Sequence, residues 1–508
     1  MIAVITRHNG RHWNQSRKSH FAGLAFRLDL RWLYEWAPRF AETIMNDKQI
    51  VLVIACMASF ITPFLASSVN VALPTINMDF AVPDQALLGW IVTGFLLSAA
   101  IFVVPFGRVA DIFGRKKIFV IGLSIIAVSS LLCSISSSVL MLIVSRLVEG
   151  LGSAMIFGTS IAILSSVFPA QERGKVLGIN VAIVYLGAST GPLLGGIITA
   201  YAGWRFIYAG IMIYALLAAL LAQKKIKGEW RCAQTGAFDV FGSILYAAML
   251  FALMYGLTLI PDKTGAYLLG LAVAIMVIFF RWELANENPV LKISVFRNNT
   301  VFLFSNLAAL INYSATAAVA FLLSLYLQYM KGYGPETAGL ILIAQPVVQA
   351  ALSPLAGRLS DRVEPRIVAS LGMALCVVGL TLFALLTPQT SLETILISLI
   401  FMGLGFAFFS SPNTNAIMSS VDKCDFGVAS GMVSTMRLIG QLMSLGIAML
   451  IFSVIMGHVE IAPGQTDTLM ISIKLAFGVF AGLCVLGTIF SLARGKLERD
   501  VEPVDGAV

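Results

Sequence analysis

Two ionisable residues, Arg146 and Glu149, stand inside an apolar run that reads Ser145-Arg146-Leu147-Val148-Glu149-Gly150. Three positions apart on a helix, they share a face and can pair. An arginine at mid-membrane costs about 2.5 to 3.5 kcal/mol on insertion scales, so such groups default to function or to pairing. A carboxyl there exchanges its proton only when water reaches it, which is the chemistry of a reversible proton carrier. The plainer alternative is that Glu149 does no more than neutralise Arg146. Arg437, near Gln441 in a later run, is a further interior cation that either lines a cavity or is absorbed by the fold. Lys474 lies close enough to the start of its run to snorkel to the surface.

Other chemistries find no residues to use. His8, His12 and His20 fall in a basic N-terminal segment and His458 in a loop, and no H-E-x-x-H occurs. There is no G-x-x-x-x-G-K-[ST], and Gly174-Lys175-Val176 lacks the hydroxyl that magnesium needs. The expectation is therefore no enzyme activity, no metal and no cofactor. The cysteines at 56, 133, 232, 376, 424 and 484 show no paired spacing and are read as unpaired.

The elements that must position Arg146 and Glu149 are membrane helices. Hydrophobic residues make up 58% of the chain and charged residues 12%, against about a quarter charged in a soluble domain. Apolar runs of spanning length begin near residues 50, 87, 118, 139, 175, 206, 238, 265, 300, 336, 367, 392, 427 and 469. We number them spans 1 to 14. The net charge of +8 does not point to nucleic acid, because Lys and Arg collect in alternate loops rather than on one basic face. With both termini cytoplasmic, inner segments hold 28 of the 34 Lys+Arg and outer loops hold Arg205, Lys263 and Lys331. That bias favours fourteen spans over thirteen or fifteen, and the expected location is the cell membrane, in contact with the bilayer.

The division follows: a basic cytoplasmic tail at 1–48, a six-helix bundle at 49–227, two inserted helices with their loops at 228–297, a second six-helix bundle at 298–494 and a cytoplasmic tail at 495–508. The first tail lacks the apolar core of a signal peptide, and Met45 is an alternative start. The fold class is an all-α polytopic membrane protein.

Gly107-Arg108-Val109-Ala110-Asp111-Ile112-Phe113-Gly114-Arg115-Lys116-Lys117 follows span 2 and returns, shortened, as Gly357-Arg358-Leu359-Ser360-Asp361-Arg362 after span 10. The repeat indicates two related halves. Gly107 and Gly114 permit a tight turn, and Asp111 among basic residues forms a charge cluster at helix ends. In span 5, Gly187, Gly191 and Gly195 recur every fourth residue and let a neighbouring helix approach, while Pro192 bends the span.

In this set the chain resembles the major facilitator superfamily, and within it the fourteen-span drug:proton antiporters. The resemblance rests on the hairpin and its copy, on Arg146-Leu147-Val148-Glu149-Gly150-Leu151-Gly152, on Gly187-x-x-x-Gly191-Pro192-x-x-Gly195-Gly196 and on Asn70-Val71-Ala72-Leu73-Pro74 closing span 1. It implies two six-helix bundles with two extra central helices, a monomer, and export of small amphipathic molecules in exchange for protons. It also implies a gate made by Gly107, Arg108, Asp111, Gly114, Arg115, Asp361 and Arg362, with Asp111 facing the N-terminal end of a helix in the other half. Gly187, Gly191, Pro192, Gly195 and Gly196 would mark a leak-tight antiporter helix.

One departure bears on coupling. Those antiporters usually carry an aspartate five residues before the asparagine of the span 1 motif, and here that position is Leu65. Proton coupling then falls to Glu149 with Arg146, and a neutral or anionic substrate competes with a lipophilic cation. By span position, the cavity is expected to draw on Asn70, Trp90, Phe95, Asn180, Asn312, Gln345, Arg437 and Gln441, with Asn306, Gln349, Asn413 and Met432 beside them. An exporter or facilitator of an endogenous metabolite, lipid or siderophore without proton coupling is the alternative, followed by a transport-inactive sensor.

Overall fold

The structure is a computed structural model and describes residues 46–80, 85–231, 238–259, 262–291, 296, 299–456 and 466–495. The tail read at 1–48, apart from 46–48, and the residues after Gly495 lie outside the described residues, as does Cys232.

Among the described residues, fourteen helices are long and apolar enough to cross a membrane. Spans 1 to 6 are Asp47–Phe80, Gly89–Phe113, Arg115–Ser134, Val139–Val167, Ala170–Tyr201 and Arg205–Lys225. Spans 7 and 8 are Val240–Leu257 and Lys263–Ala285. Spans 9 to 14 are Thr300–Met330, Thr337–Arg362, Pro365–Ala384, Leu392–Ser419, Lys423–Ile455 and Asp467–Ala493. Among the described residues there is no strand. Helices are the form in which a chain in hydrocarbon satisfies its own backbone, which is why these apolar runs do not become anything else.

Short polar residues set the helix starts. Ser138 Oγ accepts from the Met141 amide at 3.2 Å, Asn299 Oδ1 from Phe302 at 2.8 Å and Ser391 Oγ from Thr394 at 3.3 Å. Span 3 begins differently. Gly114 holds φ at 114°, and the Glu229 carboxylate, from the segment after span 6, accepts from the Lys116 and Lys117 amides at 2.9 and 3.2 Å. An acid at a helix N-terminus opposes the positive end of the dipole.

Core packing follows the repeat. One buried cluster draws only on residues between Val51 and Ile226, and another only on residues between Ala308 and Cys484. A third joins the two, with Val103, Val104, Leu177, Ala429, Met432 and Ile439 among its members. Spans 7 and 8 pack as a pair through Phe241 against Trp282 and Tyr246 against Phe279. Tyr246 Oη meets Thr435 Oγ1 at 3.0 Å, which seats span 7 on span 13. Span 8 faces outward with Tyr267, Leu271, Val273 and Leu284 exposed, as a lipid-facing helix does.

Cys56, Cys133, Cys376 and Cys484 are free and buried. Cys424 is disulfide-bonded, which corrects the expectation of six unpaired cysteines. The spacing rule failed because the pairing is set by tertiary approach and not by local sequence.

Candidate functional site

Three polar constructions among the described residues bear on the expected transport. The first is enclosed by spans 2, 3 and 4. Arg146 Nη1 donates to Glu149 Oε2 at 2.6 Å, and Ser130 Oγ donates to Glu149 Oε1 at 2.6 Å. Arg146 Nε donates to the Ile91 carbonyl at 2.9 Å, and its guanidinium lies 4.1 Å from the centre of the Phe95 ring. Both Arg146 and Glu149 are fully buried. Phe95 was expected at the cavity; it instead forms the floor under Arg146, because the face of span 2 that carries it turns toward span 4.

Such a pair is expensive to break and cheap to replace whole. Arg146→Met alone leaves a buried carboxylate without its cation, and we expect a loss of about 3 to 5 kcal/mol. The double variant Arg146→Met/Glu149→Leu is expected to unfold within about 1 kcal/mol of the parent or above it. Thermal unfolding of the purified proteins checks both, and equal losses in the single and double variants would contradict the geometry.

The second construction is a pair of carboxylate–amide contacts between the halves at the hairpin end. Asp111, fully buried at the end of span 2, accepts from the Gly427 amide at 3.0 Å and from the Val428 amide at 3.2 Å, at the start of span 13. Arg115 binds Asp111 at 2.7 Å, donates to Ser166 Oγ at 2.7 Å and reaches the Lys423 carbonyl. Its shortened copy does the same in reverse: Asp361 accepts from the Gly174 and Lys175 amides of span 5 at 2.6 and 2.9 Å. Arg115 and Arg173 flank the Phe426 ring at 5.4 and 5.3 Å. Gly107 lies against Gly427, and Gly174 against Gly357, at backbone contact. Arg108 is half-buried beside Leu291 and Asp425, and Arg362 is exposed.

The glycine stripe of span 5 faces span 1. A Cβ on Gly187 would stand 2.6 Å from the Phe60 carbonyl oxygen, and one on Gly195 would stand 2.8 Å from Ser68 Cβ. Gly191 meets Ser67 in the same way. Gly196 lies off this seam, with Val71 3.6 Å from such a Cβ, and Pro192 is exposed.

The third construction is a central cavity of about 30 Å³, room for one or two waters. Both halves line it: Ser59, Ser160 and Asn180 from spans 1, 4 and 5, and Tyr313, Thr414, Ser434 and Arg437 from spans 9, 12 and 13. Asn180 Nδ2 donates to Ser59 Oγ at 2.8 Å. The Arg437 guanidinium lies 5.6 Å from the Tyr185 ring centre and 5.5 Å from that of Tyr313. Gln349 sits beside the Tyr185 hydroxyl.

Of the cavity residues expected from sequence, Asn180 and Arg437 stand in its wall. Gln345 and Gln441 are half-buried and do not line it. Asn70 is exposed, and Trp90 rests on Tyr255 of span 7 at 5.6 Å. Asn312 is buried against Cys376 in the second core. Asn413 Oδ1 accepts from buried Arg494 at 3.0 Å. Asn70, Asn312, Asn413 and Gln441 share their spans with the cavity but sit on other helix faces, whereas Trp90 and Gln345 belong to spans 2 and 10, which do not line it. Tyr185 and Tyr313 went unnoticed in the sequence, where a tyrosine in an apolar run looks like any other packing residue.

Comparison with known proteins decides the family. The Major Facilitator Superfamily profile matches residues 55–282 and 305–506. The chain belongs to the major facilitator superfamily. This is a family of transporters, which move small molecules across membranes, so the chain is a multi-pass membrane transporter. Among its relatives, riboflavin transporter RibZ of Clostridioides difficile is 28% identical over 448 residues, 88% of this chain and 98% of that protein. Multidrug resistance protein Stp of Mycobacterium tuberculosis is 30% identical over 414 residues, 80% of this chain and 76% of that protein. The crystal structure of the human organic anion transporter MFSD10 (TETRAN) superposes with a TM-score of 0.65 at 13% identity, over 88% of this chain and 100% of that chain, a likeness of fold.

Proposed function

We propose that this transporter exports small amphipathic molecules in exchange for protons, by alternating access, as a monomer in the cell membrane with both termini cytoplasmic. The observation that carries this reading is the doubled latch. Asp111 and Asp361 each hold the amides of a helix in the opposite half, at one end of the bundle, above a cavity lined from both halves. Contacts of this kind must break when the hairpin end opens and reform when it closes. The hairpin end, being the basic end, is the cytoplasmic one. The name of Stp, a multidrug resistance protein, and those of the methylenomycin A resistance protein of Bacillus subtilis and the cephamycin export protein CmcT of Amycolatopsis lactamdurans lend support to export of foreign or secreted compounds.

Proton coupling is assigned to Glu149, with Arg146 as the cation that waits for it. Each charge moved down 100 mV supplies about 2.3 kcal/mol, enough for roughly fifty-fold accumulation. In everted vesicles, dye uptake driven by an imposed pH gradient is expected for the parent, with proton release on adding substrate. Glu149→Gln is expected to lose that release. Undiminished release in Glu149→Gln removes the assignment.

A second reading has a specific observation in its favour. Both Glu149 oxygens are already engaged, by Ser130 and Arg146, and Leu65 in the span 1 motif is wholly buried. An exporter of an endogenous metabolite without proton coupling needs neither residue to titrate, and RibZ is a riboflavin transporter. Efflux that persists when the pH gradient is collapsed would favour it.

A further inference from the structure

We infer that the central cavity, when it opens beyond the roughly 30 Å³ it has in this closed form, selects an anionic group carried on an aromatic framework, with the anion docking on Arg437 beside Tyr185 and Tyr313. This rests on the reading of the chain as an exporter of small amphipathic molecules and specifies the chemistry of its cargo.

The charge balance of the interior points that way. Arg146 is neutralised by Glu149 and Arg115 by Asp111. Arg494, at the hairpin end of span 14, is buried among neutral acceptors on Ser305, Asn413 and Ser491 and does not reach the cavity. Among the described residues, Arg437 pairs with no carboxylate, and no acid stands in the cavity wall. Its neighbours there are neutral: Ser59, Asn180, Thr414 and Ser434. The two tyrosine faces offset part of its charge by cation–π attraction, but they leave a whole positive charge in a poorly screened space. An anion relieves that state and a cation worsens it.

The aromatic half of the inference comes from the rings around Arg437, of which Tyr313 stands in the cavity wall and Tyr185 and Phe406 pack beside it. Phe406 lies 6.2 Å from Tyr185 and 6.3 Å from Tyr313, so three rings cluster on the side of Arg437 where the two tyrosines stand. Flat apolar faces around a planar cation are suited to an aromatic acid, which can stack while its anion forms a two-pronged contact with the guanidinium. Tyr185 belongs to span 5 and Arg437 to span 13, so such a ligand would bridge the two halves.

The test is equilibrium binding to the full-length protein in detergent, with no gradient, read by dye anisotropy. Carboxyfluorescein serves as the aromatic anion and ethidium as the aromatic cation. The parent is expected to bind carboxyfluorescein at least about tenfold more tightly than ethidium. Arg437→Gln is expected to weaken carboxyfluorescein by about tenfold or more, and Arg437→Lys to recover part of the loss. Ser434→Asp keeps Arg437 but puts an acid beside it, and is expected to reverse the preference. Equal binding of the two dyes, binding of neither, or a preference unmoved by both Arg437→Gln and Ser434→Asp would overturn the inference. Anion-selective binding without efflux from vesicles would count against the exporter reading alone. Efflux of ethidium that ignores Arg437 would count against this inference alone.

Discussion

Asp111→Ala is expected to hold the hairpin end open and to reduce transport to a few per cent of the parent rate or less. The carboxylate accepts three bonds from the Gly427 and Val428 amides and pairs with Arg115, all in a fully buried setting. Removing it leaves Arg115 inside the closed interface without its anion, where an unpaired buried charge costs about 3 to 5 kcal/mol. In the open form Arg115 meets water and that cost vanishes. The difference therefore falls on the equilibrium between forms, a shift of roughly 150- to 5,000-fold toward the open one. Asp111→Asn keeps the size of the side chain but offers one carbonyl oxygen and no charge, so an intermediate shift is expected. Spin labels at Phe113 and Ile367, both exposed and at the hairpin end of opposite halves, report the change as a longer distance population. An unchanged distance distribution in Asp111→Ala would sink the latch.

That Asp111 meets the N-terminal end of a helix in the other half was expected from the resemblance to the family, since the charged turn by itself reads equally well as anchoring by positive charge. The span count was legible in the sequence itself: hydropathy and the placement of Lys and Arg are summed over many residues, so single errors average out. Helix rotation was not legible. Most of these spans are apolar on every side, facing lipid or protein, so the periodicity that orients a helix in a soluble protein is faint. Asn180 and Asn312 look alike on paper; one reaches the cavity through Ser59 and the other is packed against Cys376. Asn413 was claimed by Arg494, some 80 positions on, and Glu229 caps span 3 from more than 110 positions away. Such partners are set by tertiary approach, which one sequence does not record. The cage around Arg437 is the same case, since its two tyrosines come from spans 5 and 9.

Glycines offer a way to separate the gate from the scaffold. Gly107 meets Gly427, and Gly174 meets Gly357, and in both pairs a methyl on either residue would be driven into the carbonyl oxygen of the other. These seams join opposite halves. Gly187 is equally crowded, with the Phe60 carbonyl oxygen 2.6 Å from a built Cβ, but spans 1 and 5 lie in the same half. If the halves move largely as rigid bodies, the two kinds of contact respond differently to the same substitution. Gly107→Ala and Gly174→Ala strain only the closed form, by about 1 to 3 kcal/mol each. The pair together, set on separate latches, is expected to shift the equilibrium toward opening by roughly 30-fold or more. Label distances should lengthen at the hairpin end while thermal stability falls little. Gly187→Ala strains both forms alike, so its expected signature is the reverse: a lower unfolding temperature with label distances unchanged. If all three alanine variants lower stability equally and none moves the labels, then the Gly107 and Gly174 seams are fixed packing, and the moving surface of this carrier lies elsewhere.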